Sequence, residues 1–376
     1  MKFFGRIADY IRECDKIMFI LCIFATSFGC ISVLSATRHT GELSDFLTQV
    51  IAMLLGLTAA VVISLFDFST FIKYWPLAAA VGLIPVILTF FIGYAPPGTD
   101  DKAWLYVFGI SFQPSELLKA MFLITFSAHL TAVKERINEL KNLLLLCAHG
   151  FTPAVLIHFQ GDDGTALVFI IMALGMMYAA GVRLRYFLFA LSGLLVASPF
   201  IYFFVMNDDQ RTRIWSIFNI EADIKGAGYQ QYRGRVALAN GGWFGQGYLK
   251  GSLTQSAGVP EGHNDFIFTL IGEEWGFVGC MVVILVLGAI CLRCLHVARM
   301  CRKDTGKYIC IGVFAMLLTH IIINIGMCTS ILPVIGITLP FFSAGGASLG
   351  CLYLSVGLVL SVYNHRNDRM LYLRDA

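Results

Sequence analysis

The sequence predicts an all-α polytopic membrane protein. It has ten transmembrane helices, a large ordered extracytoplasmic loop between spans 7 and 8, and both termini in the cytoplasm. Three observations carry this. The 376 residues are 57% hydrophobic and 14% charged, with mean hydropathy +0.75. A soluble domain carries roughly 25% charged residues. Apolar runs recur along the chain, each near the ~20 residues that cross a bilayer. Finally, Lys and Arg fall mostly into alternate loops, the asymmetry that sets membrane orientation.

The spans are placed at 17–36, 46–66, 75–92, 114–133, 142–159, 164–181, 186–206, 275–293, 308–332 and 347–363, within one domain over 1–376. The first follows the mixed-charge stretch MKFFGRIADYIRECDK; it is long enough to span and has no A-x-A site, so no cleavable signal is expected. The fourth opens at Pro114, which suits the first helical turn. The sixth starts after the tight turn of FQGDDGTALV, where Gly161 and Gly164 allow the bend. Gly and Pro interrupt several spans, which neighbouring helices make tolerable in a membrane. With the N-terminus inside, most of the 27 Lys and Arg lie on the inner side. The outer ones concentrate in a single segment, 207–263, as Arg211, Arg213, Lys225, Arg233, Arg235 and Lys250. That segment is too rich in Trp, Tyr, Phe and Gly to resemble a disordered linker, so an ordered cap over the bundle is expected. The net charge of +3 offers no large basic face for nucleic acid. Cysteines sit in or beside apolar runs; Cys291-x-x-Cys294 has no second pair and serves as small apolar filler.

Polar groups at the outer ends of the spans need a reason, because ionisable groups there are costly. The stretch PEGHNDFIFTLIGEEWG holds Glu261, His263, Asp265, Glu273 and Glu274 at the mouth of the eighth span. Asn264 or Asp265 could cap the helix that follows. Alternatively, Asp265 is a general base, or a carboxylate holding a metal, that faces an outer cavity. In FQPSELLKAMF, Glu116 and Lys119 share one helix face. They form a structural ion pair, or Lys119 offers an ammonium to a phosphate. Asp162 and Asp163 suit a turn and a helix cap. The loop arginines could hold phosphates in bidentate fashion, or stand as solvated charges. The last outer segment, SILPVIGITLPFFSAGGASLG, has no charge, two prolines and several glycines, as a re-entrant wall of an apolar pocket would.

Together these stretches resemble the SEDS family (shape, elongation, division and sporulation), whose members include RodA, FtsW and SpoVE. The likeness rests on Gln113 to Lys119, Gln160 to Ala166, Gln210 to Arg213 with Gly228-Tyr229-Gln230 and Gly241 to Gly247, Pro260 to Phe268, and Leu332 to Gly346. This chain departs from the family pattern at Lys102-Ala103-Trp104, Arg233-Gly234, Gly161, Asn264 and Ala344. The resemblance implies a peptidoglycan glycosyltransferase with ten spans. Such an enzyme polymerises lipid II at the outer face of the bacterial cytoplasmic membrane and releases undecaprenyl pyrophosphate with inversion. It works with a class B penicillin-binding protein and other elongation or division proteins. The resemblance places the family's essential aspartate on Asp265 and its Glu and Lys on Glu116 and Lys119. Lys102, Arg211, Arg213, Arg233 and Arg235 become candidates for the pyrophosphate, with Asp162, His263 and Glu261 beside the site, and Asp265 the candidate ligand of a divalent cation such as Mg²⁺ or Mn²⁺. Length and short termini lean toward RodA. Two other functions stay open: a lipid II flippase, which needs a polar path through the bundle, and a scaffold that recruits the penicillin-binding protein, which does not need Asp265.

Overall fold

The structure is a computed structural model. It describes residues 13–38, 43–95, 101–107, 110–208, 210–212, 215 and 228–366.

Helices dominate. In chain order they are α1 (Lys16–Thr37), α2 (Ser44–Leu65), the short α3 (Phe68–Lys73), α4 (Trp75–Ile92), α5 (Pro114–Val133), α6 (Leu140–His158), α7 (Asp163–Ala179), α8 (Leu184–Phe200), α9 (Tyr229–Gly241), α10 (Ser252–Gln255), α11 (Ile267–Met300), α12 (Asp304–Cys328) and α13 (Gly346–Asn364). A two-stranded hairpin, β1 (Leu105–Val107) and β2 (Ile110–Phe112), lies between α4 and α5. Among the described residues, 9 helices are long and apolar enough to cross a membrane. The sixth expected span, α7, is apolar but only 17 residues long.

Helix ends lie where local chemistry puts them. Asp15 caps α1 by accepting the Met18 N–H at 3.1 Å. Pro114 begins α5, where its missing N–H costs nothing. Asp162 caps α7 by accepting the Thr165 N–H at 2.8 Å. Two sets of polar contacts define two ends of the bundle. At one end Arg293 Nε pairs with Asp15 at 2.7 Å, Asn364 donates to the Ser64 carbonyl, and Lys134 pairs with Asp304. The first and last described residues share this end, since the Arg293 guanidinium also covers the Tyr363 ring. The opposite end, the site end, gathers the starts of α5, α7, α11 and α13.

The eighth span differs from expectation. Its helix starts at Ile267, not near 275, and Gly276 kinks it with φ 67° and ψ −165°. Only glycine takes that backbone conformation without strain. The first two turns escape a hydropathy reading because they are buried in protein, not lipid. Ile267 and Glu273 are wholly buried, and Phe268 and Glu274 nearly so. Glu273 caps α10: it accepts the Leu253 and Thr254 N–H groups at 2.9 and 2.8 Å and the Ser252 and Thr254 hydroxyls at 3.1 and 2.7 Å. Glu274 accepts Ser35 Oγ at 2.6 Å and Gln255 Nε2 at 3.1 Å. These two carboxylates therefore pin the loop onto α1 and α11. A buried carboxylate is tolerated when its oxygens are filled in this way. Glu273→Gln would turn an amide N–H toward backbone donors. It is expected to cost about 1–3 kcal/mol and to speed protease cleavage within 248–258, read by limited proteolysis in detergent.

The described part of the expected long loop is ordered. Helix α9 packs on α11, and α10 follows it. The chain between α12 and α13 is irregular yet buried, with Ile337, Leu339, Phe341 and Phe342 all at most 3% exposed. Side chains from several elements satisfy its backbone. Gln49 donates to the Ser343 carbonyl and accepts the Gly345 N–H; Gln231 donates to the Leu332 carbonyl at 2.7 Å; Asn324 donates to the Ile337 carbonyl at 2.7 Å. This is how irregular backbone survives at membrane depth.

Candidate active site

Asp265 sits in the turn that leads into α11. The turn is built on Glu261, whose φ of +50° is unusual for a residue with a side chain. The Glu261 carbonyl accepts the N–H groups of Asn264, Asp265 and Phe266 at 3.1, 3.0 and 3.2 Å. The Asn264 amide donates to the Glu261 carboxylate at 2.8 Å. Asp265 is not a helix cap: the capping position of α11 is Phe266, and no side chain caps it. The Asp265 carbonyl instead accepts Asn324 Nδ2 at 2.8 Å, which ties the turn to α12. Among the described residues, no hydrogen bond reaches its carboxylate. Oδ2 lies 3.6 Å from the point where a Cβ on Gly336 would stand, so the acid faces the irregular segment at its glycine. Burial first, then the negative charges of Glu261 and Asp162, push its carboxyl up to about 7.

The α5 pair lies nearby. Lys119 Nζ contacts Glu116 Oε1 at 2.8 Å, with Lys119 3% and Glu116 8% exposed. Glu116 Oε2 accepts Ser348 Oγ from α13 at 3.1 Å. Lys119 also contacts His320 Nε2 of α12 at 3.1 Å, and His320 Nδ1 lies 3.1 Å from the Thr338 carbonyl. These residues line a cavity of about 20 Å³, room for one water molecule. Asp162 connects the two halves. It accepts Gln113 Nε2 and the Thr165 N–H, both at 2.8 Å. Burial raises its carboxyl above the usual range, while Lys119 pulls it down. It feels Lys119 and Glu116, and Asp265 feels it. Gly164, at the start of α7, touches the irregular segment; a Cβ there would come within 2.9–3.0 Å of Ile337 and Ile335.

The other sequence candidates sit further out. His263 contributes its carbonyl to the Ala344 N–H at 2.9 Å. Glu261 is exposed and acts on Asp265 through charge and backbone. Arg211 binds the Tyr202 and Phe203 carbonyls at 2.9 and 3.0 Å and Asp208 at 3.1 Å, which caps the helical turn that follows α8. Arg233 donates to the Gly258 carbonyl at 2.6 Å. Lys102 and Arg235 are exposed. Arg213 lies outside the described residues. Sequence alone assigns no role to His320, Ser348, Asn324 or Gln113. The rule that flagged Lys119 also applies to His320, a lone polar ring inside the apolar run of α12.

The profile of the family described as cell cycle protein, covering FtsW, RodA and SpoVE, matches residues 13–368. The chain belongs to the SEDS family. Among its relatives, the peptidoglycan glycosyltransferase MrdB of Escherichia coli K12 is 33% identical over 273 residues, 70% of this chain and 71% of that one. The probable peptidoglycan glycosyltransferase FtsW of Geobacter metallireducens is 32% identical over 368 residues, 94% and 95% of the two chains. Among solved structures, a chain from a peptidoglycan synthase complex that coordinates polymerization and crosslinking aligns with TM-score 0.81 and 25% identity, over 94% of this chain and 98% of that one. The rod shape determining protein RodA of Thermus thermophilus shares the fold, with TM-score 0.70 and 23% identity over the same shares. The overall fold is thus shared with these solved structures.

Proposed function

We propose that this SEDS chain is a peptidoglycan glycosyltransferase that polymerises lipid II at the outer face of the bacterial cytoplasmic membrane. Its ten spans are the nine long helices and α7. The site end faces outward and both termini face the cytoplasm, with a class B penicillin-binding protein as partner and cell elongation as the setting. One observation carries the reading: a half-buried Asp265 carboxylate with no hydrogen-bond partner among the described residues, joined through the charge of Asp162 to the buried Lys119 ammonium, on family motifs.

The chemistry follows from these groups. A hydroxyl of the acceptor sugar attacks the anomeric carbon of the donor. Asp265 takes the hydroxyl proton as the new C–O bond forms. The bond from that carbon to the pyrophosphate breaks, and undecaprenyl pyrophosphate leaves with the electron pair. Lys119 supplies the positive charge that offsets what develops on the leaving group. The inverted product needs no covalent enzyme intermediate. The buried irregular segment and neighbouring helices give the polyprenyl chain an apolar wall.

A divalent cation fits the donor set in one way. Among the described residues no cluster of three or more His, Cys, Asp or Glu could hold a metal. Asp162 and Glu261 already use carboxylate oxygens in hydrogen bonds. Asp265 alone would hold the ion, with substrate phosphates and water completing the shell, as Mg²⁺ permits. Bound there, the cation would add positive charge beside the leaving pyrophosphate.

The experiment is polymerisation of purified lipid II by the full chain together with its penicillin-binding partner. Glycan ladders are expected, lost with EDTA and restored by Mg²⁺ or Mn²⁺. Ladders that persist in EDTA would remove the cation. No ladder from the wild-type complex would remove the glycosyltransferase reading.

A further inference from the structure

His320 has two ring nitrogens with different partners. Nδ1 faces the Thr338 carbonyl at 3.1 Å, and a carbonyl only accepts, so Nδ1 carries the proton. Nε2 faces Lys119 Nζ at 3.1 Å. An ammonium only donates, so the ring is neutral and Nε2 presents its lone pair. Among the described residues, two of the three Lys119 N–H groups are then engaged, one by Glu116 and one by His320. The third remains for the small cavity these residues line.

The ion pair with Glu116 already balances the Lys119 charge. A neutral acceptor adds no charge; it adds direction. An ammonium on a four-carbon stem turns freely unless a second partner fixes it. The second partner here is itself held. His320 hangs from Thr338, two residues along the irregular segment from the Gly336 that faces Asp265. The same short backbone thus meets both ends of the site. The geometry points to His320 as the positioning residue of Lys119: a neutral imidazole, oriented by the Thr338 carbonyl, that aims the remaining ammonium N–H at a phosphate oxygen of the lipid pyrophosphate. This rests on the reading of Lys119 as a pyrophosphate-binding group.

The test is equilibrium binding of undecaprenyl pyrophosphate to the purified full chain in detergent, beside the lipid II polymerisation rate. His320→Leu keeps much of the volume and removes the acceptor. It is expected to weaken binding about ten- to a hundredfold, the range for a lost hydrogen bond to a charged group. His320→Gln keeps an oxygen for Lys119 and is expected to stay within about threefold of wild type, since that bond is retained. A role in packing alone would lower the yield of active protein and leave the Kd unchanged. If His320→Leu does not purify, His320→Met, a weak acceptor, replaces it with the same expectation. Wild-type affinity in the Leu variant overturns the inference, as does equal weakening in Leu and Gln. The paired variant Glu116→Gln/Lys119→Met separates the two levels. Unchanged binding there removes the Lys119 reading and this inference with it. Weakened binding there, with unchanged binding in His320→Leu, removes the inference alone.

Discussion

Asp265→Asn is expected to abolish glycan polymerisation while leaving the fold intact. The change is isosteric and breaks no hydrogen bond among the described residues, because the carboxylate makes none there. What it removes is the proposed proton acceptor. General base catalysis contributes about 10²–10⁴-fold, so a loss of that size in rate is expected, read from lipid II ladders with the partner present. Wild-type ladders from the Asn variant would sink the role of Asp265. The pH dependence follows from its raised carboxyl. A base must be ionised, and this one ionises around pH 7 because of burial and the negative charges of Glu261 and Asp162. The value of kcat/KM should therefore climb with pH, reach half its limit near 7 and level off above. Glu261→Gln removes one of the repelling charges, so it should move the midpoint toward acid. A midpoint that stays in place would show that another group limits the profile.

The second large effect concerns the α5 ion pair and separates folding from chemistry. Lys119→Met leaves the Glu116 carboxylate buried with Ser348 as its one partner among the described residues. Breaking a buried pair on one side costs about 3–5 kcal/mol. A strong fall in unfolding temperature, or loss of the purified protein, is expected. Adding Glu116→Gln removes the stranded charge, and replacing both partners of a buried pair is often neutral. Stability should return in the double variant. Polymerisation should not, since the ammonium is still missing. Recovery of both would reduce the pair to a structural anchor.

Much of this was legible in the sequence, and the limits have physical causes. Hydropathy placed α4 and α5 to the residue, because both are apolar runs with clear starts. It placed α11 late, because burial in protein hides the first two turns from a scale that measures transfer to lipid. Spacing on a helix foretold the Glu116–Lys119 pair. It could not foretell His320 or Ser348, which reach the pair from α12 and α13, far away in sequence. The capping alternative for Asp265 was sound local chemistry. The turn on Glu261 displaced it by moving the helix start past the acid. Arg211 carried a phosphate-binding expectation because charge alone is visible in sequence. Its neighbours, the open carbonyls just past α8, are visible only in space.

Helix α8 contributes no buried residue at all. It is tethered near its two ends, by Tyr186 to the Asn138 carbonyl at 3.4 Å and by Arg211 to the carbonyls that follow it. In water such a helix would be untenable. In hydrocarbon, acyl chains solvate its leucines as well as another helix would. The bilayer is then its packing partner, so thickness and lateral pressure of the surrounding lipid set where it stands. The same chain in thin and thick membranes would keep its core unchanged and differ first at this span, where the solvent takes the place of tertiary structure.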